Sequence, residues 1–87
     1  MSQEQAYWSI LRECLLRFHH KSPAAAARLV GSYRKAIGGS PLVYHLDPFG
    51  LANDLAGERL DVDAHADAYQ AIRDEHYRTQ DRLIRAG

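Results

Sequence analysis

Residues 22–41 read SPAAAARLVGSYRKAIGGSP, which holds a start signal and a stop signal for one helix. Ser22 at the N-cap and Pro23 at the first helical position open it, because proline lacks the N–H that would be orphaned there and its φ is already helical. The alanines at 24–27 are strong helix formers. Ala26, Val30, Tyr33 and Ile37 recur along one core line, with Leu29 and Ala36 on one flank and Ala27 and Gly31 on the other. Glycine inside a helix costs about 1 kcal/mol relative to alanine, so another backbone is expected to approach closely at Gly31. Gly38-Gly39 ends the helix in the left-handed conformation glycine tolerates, and Pro41 reinforces the stop. The pattern predicts a helix over residues 23–37.

Towards the N-terminus, Tyr7, Trp8, Leu11, Cys14, Leu15 and Phe18 recur at three- and four-residue steps. This is the period of a helix with one buried face, over about residues 3–20. Ser2 is read as its N-cap, and His19, His20 and Lys21 as its dipole-matched C-terminal end. Leu16 points away from the stripe and is expected to be exposed.

Towards the C-terminus, LVYHL at residues 42–46 is the only β-like run. One strand cannot satisfy its own backbone, so it is read as a short extended connection, with pairing to a second copy as the alternative. Asp47-Pro48 repeats the cap logic and opens a short helix over about 48–56, carrying Phe49, Leu51, Ala52 and Leu55 inward, which Gly57 closes. Leu60 anchors a linker. Asp61 or Asp63 caps a last helix, to about residue 85, whose stripe is Val62, His65, Ala66, Tyr69, Ile72, His76, Leu83 and Ile84. Between Ile72 and Leu83 the chain reads RDEHYRTQDR, too polar to hide completely.

The expected fold is therefore a single all-α domain over residues 1–87: two long helices, one short, and one long C-terminal helix. Eighty-seven residues leave room for one domain. No run of about 18 apolar residues predicts a membrane span, and MSQEQAYWSI does not read as a secretory signal. One cysteine cannot staple the chain, so a reducing, cytoplasmic setting is expected. Nine arginines against two lysines, with thirteen alanines, suggest a GC-rich bacterial source.

Charge is balanced overall but divided along the chain. Residues 12–35 carry six basic and one acidic side chain, net +5, while residues 47–81 carry three basic and nine acidic, net −6. Either the halves complement each other within one chain, or opposite faces mediate self-association.

Sites of chemistry are hard to assemble from these residues. His19 and His20 are adjacent and diverge on a helix; His65 and His76 stand about 16 Å apart along one. The acidic run Asp61-Val62-Asp63-Ala64-His65 lacks a calcium-loop pattern, yet it supports one reading as a metal-dependent enzyme around His65, Asp61 and Asp63. Tyr44, His45 and Asp47 make a polar trio without a nucleophile elbow or phosphate loop. Cys14 lies on the buried stripe and is read as core. A second alternative is a small nucleic-acid-binding regulator using the basic patch Lys21, Arg28, Arg34 and Lys35, although the helix-turn-helix pattern fails because the helix runs straight through Gly31.

The preferred expectation is a small non-enzymatic protein-interaction module of the adaptor, regulator or immunity/antitoxin type, homodimeric, without cofactor or metal. Leu16, Arg73, His76, Tyr77 and Gln80 are its expected contact residues, since tyrosine buries interface area with few rotors. The expected mechanism is an apolar anchor flanked by the acidic half, docking onto a basic partner surface.

Overall fold

Three Ser-Pro or Asp-Pro pairs, at residues 22–23, 40–41 and 47–48, each start a helical element. The computed structural model describes residues 2–86, with side chains described for residues 4–78. Among the described residues there are four α-helices and no β-strand: α1 (Ser2–Arg17), α2 (Pro23–Ile37), α3 (Pro48–Ala56) and α4 (Ala66–Ala86). Short 3-10 helices at Pro41–His45 and Asp63–His65 precede α3 and α4.

The caps of α2 and α3 match the sequence signals, whereas Ser2, expected as the N-cap of the first helix, lies within α1. Ser22 Oγ accepts from the Ala25 N–H at 3.1 Å, and Gly38 closes α2 with φ +61°. Asp47 Oδ2 accepts from the Gly50 N–H at 3.4 Å to open α3. At its other end the Gly57 and Glu58 N–H groups donate to the Asp54 and Asn53 carbonyls, with Gly57 left-handed at φ +71°. That pair of bonds is the Schellman pattern.

Residues 42–46 are neither strand nor extended connection. Residues 41–45 form a 3-10 helix, with Ser40 Oγ accepting from the Leu42 N–H and the Leu46 N–H returning to the Val43 carbonyl at 2.9 Å. An unpaired strand here would strand its backbone groups, whereas a 3-10 turn satisfies them locally. Only Val43 of this run is buried, and Leu42 is 72% exposed.

α1 is the central helix and packs against α2, α3 and α4. Its entire expected stripe is buried, joined by Ala6 and Ile10, which the stripe omitted. Three neighbours bury a wider arc than one packed face needs. For the same reason Leu16 is half-buried against the core, not exposed as its position off the stripe suggested. α1 also stops at Arg17, before the histidines. The Lys21 N–H returns to the Leu15 carbonyl at 3.0 Å, and His20 takes φ +55°. This reversal turns His19 inward.

α4 runs antiparallel to α1. His65 stacks on Phe18 near the end of α1, with ring centroids 5.1 Å apart, while Tyr77 lies close enough to Tyr7 to act on its ionisation. Tyr69 and Ile72 are buried as expected, but Val62 and Ala66 are exposed, because residues 61–65 swing outward before α4 begins. Asp61, not Asp63, supplies the local side-chain bond there, accepting from the Asp63 N–H at 3.1 Å. Arg73 and His76 are half-buried, and Asp74, Glu75, Tyr77 and Arg78 are exposed. The side chains of Leu83 and Ile84 lie outside those described.

Gly31 does not meet another backbone. A β-carbon added there would find nothing within 4 Å. The expected close approach is absent within this chain, because α2 presents that flank outward.

Candidate functional site

The Asp47 cap holds the chain as it leaves the first 3-10 helix. Leu46 sits there in extended backbone, 47% exposed. From this corner α3 runs as the floor of an open cleft, and residues 59–62 return along its side as the opposite wall. The cleft encloses about 740 Å³. Leu46, Phe49, Leu51, Leu60 and Val62 supply its apolar lining, and Val62 is 40% exposed. Asp47, Asp54 and Asp61 stand with it against a single cation, Arg59. Gly50 widens the floor, since a β-carbon there would meet nothing and its absence leaves the space open.

A half-buried polar relay joins this wall to α3 and to the end of α1. Asn53 Nδ2 donates to the Leu60 carbonyl at 3.0 Å. That leaves Asn53 Oδ1 as an acceptor, so the 2.9 Å contact with His19 Nε2 has the imidazole donating. The His19 side chain is 2% exposed, and its Nδ1 stands 3.4 Å from Glu58 Oε1. Nδ1 has no hydrogen-bond partner among the described residues, so the Glu58 contact is one of proximity and not of aligned bonding. Sequence reasoning missed this relay. His19 and Asn53 lie 34 positions apart, and no local signal joins them.

Tyr69 ties the cleft's corner to α4. Its hydroxyl donates to Asp47 Oδ1 at 2.5 Å and accepts from the buried Phe49 N–H at 3.3 Å. Burial first, then the Asp47 hydrogen bond, push its phenol pKa well above the ordinary value, while the Phe49 N–H acts in the opposite sense. The same rings form an aromatic cluster: Phe49 lies 5.2 Å from Phe18 and 5.3 Å from Tyr69.

A second, smaller groove of about 260 Å³ lies between α1 and α2. Trp8, Ala27, Val30 and Gly31 form its apolar part, with Ser9, Arg12 and Arg34 beside them. The Arg34 guanidinium stands 4.7 Å from the centroid of the Trp8 ring. A guanidinium over a ring face is attracted by the ring's quadrupole and keeps its N–H edge free for an anion. Trp8 Nε1 in turn donates to the Tyr44 hydroxyl at 3.2 Å.

The expected contact residues are scattered. Leu16 packs inward; Arg73 is half-buried with its guanidinium 5.6 Å from the Tyr69 ring centroid; His76 is half-buried; Tyr77 is 38% exposed; Gln80 lies outside the described side chains. Among the described residues, none of these contact residues lines either cavity. Of the basic patch, Arg28, Arg34 and Lys35 are exposed, whereas Lys21 is half-buried at the α1–α2 turn.

The residues of the enzyme readings are otherwise engaged. His65 is stacked on Phe18 and Phe49, Asp61 accepts from the Asp63 backbone, and among the described residues no three His, Cys, Asp or Glu side chains are placed to hold a metal. In the polar trio, Asp47 is committed to its cap and to Tyr69, and Tyr44 to Trp8. Cys14 is fully buried, and burial first, then Asp47 and Glu13, push its thiol up to about 12.

Comparison with protein-family models, with curated proteins and with solved structures finds no match to this chain. Among the described residues no helix is long and apolar enough to cross a membrane.

Proposed function

We propose that this chain is a non-enzymatic protein-interaction module whose docking site is the cleft between α3 and residues 59–62. The observation that carries the reading is the pairing of an apolar lining with an acidic margin. Leu46 and Val62 are exposed, and three carboxylates and one arginine line the cleft with them. Exposed apolar surface framed by charge is the pattern of a contact site. The complementary occupant is a basic amphipathic segment of a partner protein, with apolar side chains for the lining and lysine or arginine for Asp54 and Asp61. This places the acidic half where the partner's positive charge is met, and moves the main contact from α4 to α3.

We also propose that the chain self-associates in a reducing, cytoplasmic setting, where its buried Cys14 stays a thiol. Of the four cations of the nucleic-acid alternative, Lys21 is half-buried and Arg34 lies against Trp8.

The test uses a labelled helical peptide with leucines at three- and four-residue spacing and lysines elsewhere. Fluorescence anisotropy should show the parent binding it, a glutamate-for-lysine version failing to bind, and Leu46→Ser with Val62→Ser losing most of the affinity. Both replaced side chains are exposed, so the fold should persist by circular dichroism. Equal binding of the two peptides, or full retention by the double variant, overturns the reading.

A further inference from the structure

The groove between α1 and α2 and the edge at residues 61–63 are complementary in charge. The groove is lined by apolar Trp8, Ala27, Val30 and Gly31 together with two arginines, Arg12 and Arg34. The edge is its inverse: an exposed valine, Val62, between two exposed carboxylates, Asp61 and Asp63. Among the described residues, Arg12, Arg34 and Asp63 enter no side-chain ion pair, while His19 stands 3.4 Å from Glu58. We infer that the groove receives the Asp61-Val62-Asp63 edge of a second copy of this chain, and that two copies exchange these contacts reciprocally.

Several observations converge on that occupant. Gly31 is unexplained by the fold of one chain, since nothing approaches it. As part of a groove floor it leaves the space that an incoming valine needs. Arg34 already lies against Trp8, so less freedom is lost when a carboxylate meets it than for a side chain without such a contact. Asp61 is likewise steadied by the Asp63 N–H. A single edge in a single groove buries little against the roughly 800 Å² per partner of a stable interface. A two-fold pair makes the contact twice and closes, where a one-way contact would propagate. Asp61 and Val62 also form part of the larger cleft's wall, so self-association and capture of a basic segment draw on the same residues.

The inference rests on the proposed self-association, and the experiment separates the two. Sedimentation velocity at low salt should show the parent as a dimer that dissociates as salt rises. Arg12→Glu with Arg34→Glu should raise the dissociation constant at least about tenfold, and so should Asp61→Lys with Asp63→Lys. Mixing these two charge-reversed proteins should restore a dimer, because each groove then faces an edge of opposite sign. All four sites are exposed, and circular dichroism checks that each variant stays helical. A parent that is monomeric at low salt ends the self-association reading and this inference with it. A parent dimer that survives either reversal, or a mixture that stays monomeric when both reversals dissociate, ends the inference alone.

Discussion

Replacing Tyr69 by phenylalanine removes one oxygen atom, and its cost can be worked from what that oxygen touches. It donates to the Asp47 carboxylate at 2.5 Å and accepts from the Phe49 N–H at 3.3 Å. A hydrogen bond to a charged group contributes about 1.5–3 kcal/mol net. Asp47 is exposed, so water rehydrates the carboxylate and the lower end of that range applies. The Phe49 N–H is buried, and a buried donor left without an acceptor costs about 1–3 kcal/mol. Together Tyr69→Phe should destabilise the protein by about 2.5–4.5 kcal/mol, a large part of the roughly 5–15 kcal/mol typical of a folded domain. In a chain of this size that lowers the melting temperature by at least roughly 10 °C. The control is Tyr7→Phe. The Tyr7 hydroxyl is buried with no hydrogen-bond partner among the described residues. Its removal should be neutral or should stabilise by about 1 kcal/mol. Urea unfolding followed by circular dichroism measures both. If the two variants shift stability equally, the assignment of Tyr69 as the tie between the α3 cap and α4 is wrong.

Further outcomes follow from the same structure. Gly31→Ala should raise stability by about 1 kcal/mol, since alanine is the better helix former and meets no neighbour; a lower urea midpoint would reveal a contact at that flank, and weakened dimerisation alongside the higher midpoint is expected from the filled groove. The pKa values of Cys14 and Tyr7, each pushed up to about 12 mainly by burial, make the folded state hold its protons where the unfolded chain releases them. Their contribution is therefore complete at neutral pH and is lost as pH rises from about 9, where an exposed thiol ionises, and from about 10 for tyrosine, towards 12; a urea midpoint unchanged between neutral pH and pH 11 would contradict this. A thiol reagent should label Cys14 only as fast as the protein opens, and rapid native-state labelling would place that side chain at the surface. Asn53→Ala should cost about 1–3 kcal/mol, because it strips the partner from His19 Nε2; an unchanged melting curve would mean that the relay holds nothing.

Much of this architecture is written in local chemistry. Ser22-Pro23, Asp47-Pro48, Gly38 and Gly57 act within one turn of chain, so their caps were readable without knowing any partner. The apolar period of α1 likewise made its core face legible, and the polarity of residues 73–82 agreed with the exposure of Asp74, Glu75, Tyr77 and Arg78. Contacts between distant residues had no such signature. How wide an arc of α1 is buried depends on having three neighbours, which brought Leu16, Ile10 and Ala6 inward. The 3-10 path of residues 41–45 follows from the lack of any strand to pair with, a property of the whole fold. Both cavities also arise only in three dimensions. The larger needs Asn53 to hold Leu60 beside α3, and the smaller needs α1 and α2 to bring Arg12, Arg34 and Trp8 to one groove. Local propensity and period thus set the helices, while the places where a partner fits came from side chains that only packing brings within reach.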